Sequence, residues 1–181
     1  MKNPENNLPP VSLFHRSASD GLWMGLSMCL TLILNAAGLF FVPAAVISPL
    51  AALWVVILGG IYEHRAFVAS DYSLGFVQMW AQGICTYFFG SLFAALLTFI
   101  GLQWMMPELP DIIISRSAEA YAASDNETLS NMGQMMTRMQ ENGLAPTAAD
   151  YARMIIMMSI IGGMVVSFFA TVVARGRYNK L

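Results

Sequence analysis

The chain is 181 residues long with a net charge of -2, and it is 57% apolar and 11% charged, where an ordinary soluble domain is about half apolar and a quarter charged. Its nine Lys and Arg residues are scattered and form no basic stripe, which sets nucleic acid aside as a partner. Cys29 and Cys85 each sit in an apolar run as free thiols, His15 and His64 lie far apart, and no C-x-x-C or zinc spacing exists, so a His/Cys metal site is not expected.

A helix crosses a hydrocarbon core about 30 Å thick with about 20 apolar residues. Leu22 to Val42 is the first such run. Its core is longer than that of a secretory signal and PAA is a poor cleavage site, so it reads as a retained helix. The segment VPAAVISP follows, and Pro43 and Pro49 predict a turn before a second span over Ala45 to Tyr62 rather than one continuous helix. IYEHRAF, residues 61–67, then reads as a cytoplasmic turn. In that reading Tyr62 lies at headgroup level and Glu63-His64-Arg65 is an interfacial anchor rather than a catalytic triplet.

The third run, Leu74 to Met106, has 33 residues, about 50 Å as a helix, and must tilt or protrude. Trp80 and Trp104 lie near its ends as aromatic belt residues do. PELPD stops it, with Asp111 as N-cap of a short helix through Ala123. SDNE, Ser124 to Glu127, has the form of a capping box, and Asn142-Gly143 that of a stop, bounding a helix over about Asp125 to Asn142. Its NET sequon, Asn126 to Thr128, reads as cap residues. TAAD, Thr147 to Asp150, is a second capping box and launches a fourth span over Met154 to Ala174.

The helix over about Asp125 to Asn142 carries Leu129, Met132, Met135, Met136 and Met139 on one face, which predicts apolar cover from the top of the bundle, the lipid interface or a partner helix. The sharper reading is a Cu(I) site, with Met132, Met135, Met136 and Met139 as thioether ligands and Met105, Met106 or Met154 joining from the span ends. Packing is favoured over copper, and no cofactor is expected. Small and polar residues recur every four positions in three spans: Ser27, Thr31 and Asn35; Gln78, Gln82, Thr86, Gly90, Ala94 and Thr98; Ser159, Gly163, Ser167 and Thr171. These rows are helix-packing faces, the alternative being a polar pathway through Asn35, Gln78, Gln82, Thr86, Gly163 and Ser167.

Lys2, Arg16, Arg65, Arg175, Arg177 and Lys180 fall on one side, against Arg116, Arg138 and Arg153 in the acidic 107–153 segment, so both termini are expected in the cytoplasm. No span holds an ionisable residue between its interfacial ends, which argues against proton-coupled transport. No nucleophile–base frame such as G-x-S-x-G is present, so enzymatic activity is not expected.

SDGLWMGL at the first helix, YEHR closing the second, FVQMWAQG entering the third and PELPD leaving it resemble a family of small bacterial four-helix membrane proteins classed as a domain of unknown function. Phe76, Gln78, Trp80 and Gly83 carry that family's F-x-Q-x-aromatic-x-x-Gly pattern, with Ala81 in place of its usual basic residue and Ser70-Asp71 in place of a glycine pair. The resemblance implies a bacterial cytoplasmic-membrane location and no established activity. The expectation is therefore an all-α polytopic membrane protein, one domain over residues 1–181, with four transmembrane helices and an extracytoplasmic helical cap between the third and fourth. Its partners are membrane lipid and a second copy or another membrane protein. Its expected role is structural or interactive, the alternative being a binding or transport module for a small apolar or soft-metal ligand.

Overall fold

The computed structural model describes residues 13–70 and 72–178; Lys2, Asp71 and Lys180 lie outside them. Among the described residues all regular structure is helical: α1 (Leu13–Gly38), α2 (Val42–Ala69), α3 (Phe76–Ile100), α4 (Leu109–Ala122), α5 (Glu127–Glu141) and α6 (Ala148–Tyr178), with one wide turn, Gly101–Met105, prolonging α3. Four of these are long and apolar enough to cross a membrane: His15–Gly38, Val42–Ala69, Phe76–Met105 and Ala148–Gly176. Their outward faces carry exposed Leu53, Trp54 and Ile57 on α2 and Phe169, Val172 and Val173 on α6. Only hydrocarbon solvates such faces without cost, and the chain is a multi-pass membrane protein.

The second span departs from expectation at both ends. The break from α1 falls at residues 39–41, and VPAAVISP belongs to α2, with Pro43 in its first turn and Pro49 inside it. A first-turn proline loses no helical hydrogen bond, which is why Pro43 starts the helix rather than stopping it. At the other end IYEHRAF is not a turn. Val55, Gly59, Tyr62, Glu63, Ala66 and Phe67 form one buried stripe at helical spacing, and that stripe carries α2 on to Ala69. The turn lies at residues 70–75, where Tyr72 adopts a left-handed φ of 60° and its N–H donates to the Phe67 carbonyl at 3.0 Å. Its ring meets Phe67 edge-on at 5.2 Å, which offsets the strain of that backbone.

α3 is the central element, packed against α1, α2 and α6. Its row of small and polar residues is buried from Gln82 through Thr86 and Gly90 to Ala94. α1 crosses it closely: a Cβ on Gly25 would stand 2.7 Å from the Gly90 carbonyl oxygen. Trp80 clips α3 to α6, its indole N–H donating to the Met164 carbonyl at 2.9 Å while its ring packs on Phe168.

α4 and α5 pack on each other where Gly133 fits against Ala118 and Ala122, and Ser115 and Gln140 hydrogen-bond across the pair. The cap of α4 differs from expectation, while that of α5 falls on Asn126, one of the residues read as caps. Glu108 rather than Asp111 precedes α4, and Asn126 caps α5, its side chain accepting from the Thr128 N–H at 2.9 Å. TAAD caps as its pattern requires: Asp150 accepts from the Thr147 N–H at 3.0 Å, and Thr147 Oγ1 accepts from the Asp150 N–H at 3.3 Å.

Candidate functional site

The stripe that prolongs α2 carries a carboxylate inward. Glu63 is 2% exposed, while its neighbours His64 and Arg65 face outward. Opposite it α6 presents two members of its small-polar row, Ser167 and Thr171, each fully buried. Thr171 Oγ1 donates to Glu63 Oε2 at 3.0 Å. The other oxygen, Oε1, lies over Gly83 of α3 beside Ser167 Oγ, and any Cβ at position 83 would collide with both atoms. Gly83 is thus the gap through which α2 and α6 meet across α3.

Glu63 Oε1 and Ser167 Oγ are buried with, among the described residues, no hydrogen-bond partner except each other, and the Gln82 amide nitrogen is buried without one. The ion pairs found there, Arg116–Glu119 and Arg153–Asp150, are exposed and remote from Glu63. An isolated carboxylate in an apolar interior costs several kcal/mol when ionised. A bound proton or cation would remove that cost.

Two features flank this carboxyl. On one side Arg16 donates to the Arg65 carbonyl at 3.3 Å, and Asp20 lies within electrostatic reach of both arginines and of Tyr62. On the other, Tyr87 is 4% exposed, seated against Gly59 and Gly163, with its hydroxyl 3.5 Å from the Val55 carbonyl. Tyr87 also lines a half-open groove of about 380 Å³ between α1, α2, α3 and α6, walled by Met28, Val55, Met154, Met158 and Gly162. That volume is at the lower end for small-molecule sites, and the lining is almost wholly apolar.

The sequence-derived candidates divide between several places. Gln82, Thr86, Gly163 and Ser167 are buried where the spans cross. Thr86 donates to the Gln82 carbonyl at 3.0 Å, and Ser17 of α1 donates to the same oxygen at 3.3 Å. Gln78 is exposed, its side-chain oxygen accepting from the Gly75 N–H at 3.1 Å, and so it caps α3. Asn35 ties α1 to α2, accepting from Ser48 at 2.7 Å. Met132, Met135 and Met139 are exposed on α5, and Met136 is half-buried on the side that carries Gly133. Of the other proposed thioethers, Met105 and Met106 lie at the exposed end of α3, whereas Met154 lines the groove.

Sequence reasoning ended the second span at Tyr62 and so left no ionisable residue within a span, whereas α2 runs on to Ala69 and buries Glu63 inside one; neither Glu63 nor Tyr87 was named as a site residue. The spacing Val55, Gly59, Tyr62, Ala66 was the available signal, because it puts residue 63 on the inward face once the helix continues past Tyr62.

A family model described as "Protein of unknown function (DUF4199)" matches residues 20–175. The chain belongs to DUF4199. That match begins at Asp20 in α1 and ends at Arg175 in α6, so it takes in Glu63, Gly83, Tyr87, Ser167 and Thr171 of this DUF4199 chain. No curated protein and no solved structure matches it.

Proposed function

We propose that this DUF4199 protein is a binding module of the bacterial cytoplasmic membrane, with both termini inside, that takes one small apolar molecule of acyl-chain character from the bilayer. The observation that carries this reading is the groove itself: four spans wall it, its lining is apolar, and it opens beside the exposed Met154, Met158 and Ile161 of α6. Hydrocarbon is the medium these residues face, so the occupant arrives from the membrane rather than from water. Thr31, Tyr87 and Ser159 are the polar residues of this lining and the rest is aliphatic, Met or Gly, so contact with an occupant is mainly apolar.

The test is native mass spectrometry of the detergent-solubilised protein and of Gly162→Phe. Nothing lies within 4 Å of a Cβ at Gly162, so a ring there fills groove space without displacing backbone. The wild type should retain an apolar adduct, and Gly162→Phe should lose it by about tenfold with its fold intact. Equal retention, or no adduct on either, would rule the reading out.

A second reading is self-association through α5. Met132, Met135 and Met139 are exposed, Met135 by 63%, on a helix whose opposite side is already packed on α4. Flexible thioethers suit an adaptable protein surface, and this favours a second copy over Cu(I) at the same methionines.

A further inference from the structure

We propose that Glu63 binds and releases a proton inside the membrane, a function separate from whatever fills the groove. Three independent features converge on it. The carboxyl is buried in a span, no cation pairs with it among the described residues, and its Oε1 and the buried Ser167 Oγ beside it have, among those residues, no hydrogen-bond partner except each other.

A single proton satisfies both oxygens. Placed on Oε1, it gives the carboxyl an O–H that donates toward Ser167 Oγ, while Oε2 keeps the hydrogen bond from Thr171. On release the O–H bond breaks, its electron pair stays on the carboxylate, and water at the Asp20–Arg65 rim takes the proton. The resulting carboxylate then accepts from both hydroxyls, of Ser167 and of Thr171, which lowers the cost of the ionised state.

Groups facing Glu63 leave room for both states. Among the described residues α6 contributes the two hydroxyls, and α3 contributes Tyr87 and the backbone at Gly83. On α2 itself Tyr62 is adjacent and buried, while His64 and Arg65 are exposed. From α1, Asp20 and Arg16 gather at Arg65 rather than at Glu63. Among the described residues no fixed positive charge holds it ionised, while two hydroxyls are able to donate to the ionised form and one of them to accept from the protonated form.

A metal cation fits less well. Hard cations want about six oxygen ligands. Here the carboxyl and the Ser167 hydroxyl are packed onto Gly83, where even a methyl group finds no space.

The experiment is infrared difference spectroscopy on the full chain in lipid vesicles as the pH is stepped across the neutral range, with wild type, Glu63→Gln and Ser167→Ala. The expected result is reciprocal exchange between a carboxylic C=O band and carboxylate bands, absent from Glu63→Gln. The C=O band should move in Ser167→Ala, which removes its hydrogen-bond acceptor. Should Glu63→Gln fail to fold, the Ser167→Ala displacement assigns the band unaided. A Glu63 carboxyl that stays wholly protonated or wholly ionised while the protein remains folded overturns the proposal. So does a band that responds to sodium or potassium at fixed pH, since that assigns the site to a metal ion.

Discussion

Gly83 decides at the scale of one atom whether α2 and α6 can meet. Its missing side chain is occupied by Glu63 Oε1 and Ser167 Oγ, so Gly83→Ala forces either a buried carboxyl or a helix to move. Overpacking of this kind costs about 1–3 kcal/mol. Gly162→Ala, where a Cβ meets nothing within 4 Å, should be close to neutral. Thermal unfolding in detergent checks the pair: the account expects a fall of several degrees for Gly83→Ala alone, and equal midpoints would contradict it. The four-residue rows made Thr86, Gly163 and Ser167 legible in the sequence because small and hydroxyl side chains in a lipid environment have few roles besides close packing. Glu63 was not legible in the same way. A charged triplet between apolar runs looks like an interface, and only the tertiary stripe from Val55 to Phe67 shows that one member of the triplet turns inward.

At the scale of elements, run length identified four spans, but their ends were set by packing and capping. Thr147 and Asp150 form the cap that their spacing implies, whereas α5 begins at Glu127, with Asn126 rather than Ser124 as its cap. Pro43 and Pro49 were read as a turn and are helical, since a proline inside an apolar span breaks a helix only if the lost hydrogen bond is not offset by packing. The face of α5 is apolar, as the spacing of its methionines implies. Within the chain α4 packs where Gly133 lies and leaves Met135 outward, so cover for that face comes from lipid or a partner. If that face binds a second copy, Met135→Glu should abolish the chemically crosslinked dimer in vesicles while the monomer keeps its helicity. Crosslinking undiminished by the charge would remove the self-association reading.

For the whole molecule, composition and run length were enough to establish a helical multi-pass chain, because a surface as apolar as that of α2 and α6 has only one compatible solvent. What the pattern could not give was which helix sits in the middle. α3 does, since it touches each of the other three spans, and its central place brings Tyr87 and Gly83 between α2 and α6. The groove and the buried carboxyl both depend on that arrangement and on α2 remaining helical past Tyr62. Hydrogen–deuterium exchange of the protein in lipid nanodiscs measures this directly. Amides from residue 61 through residue 69 should be as strongly protected as those of 50–60, with rapid exchange beginning only at the 70–75 turn. Exchange through 61–67 as fast as in that turn would mean that IYEHRAF is a solvated loop, and Glu63 would then lie in water.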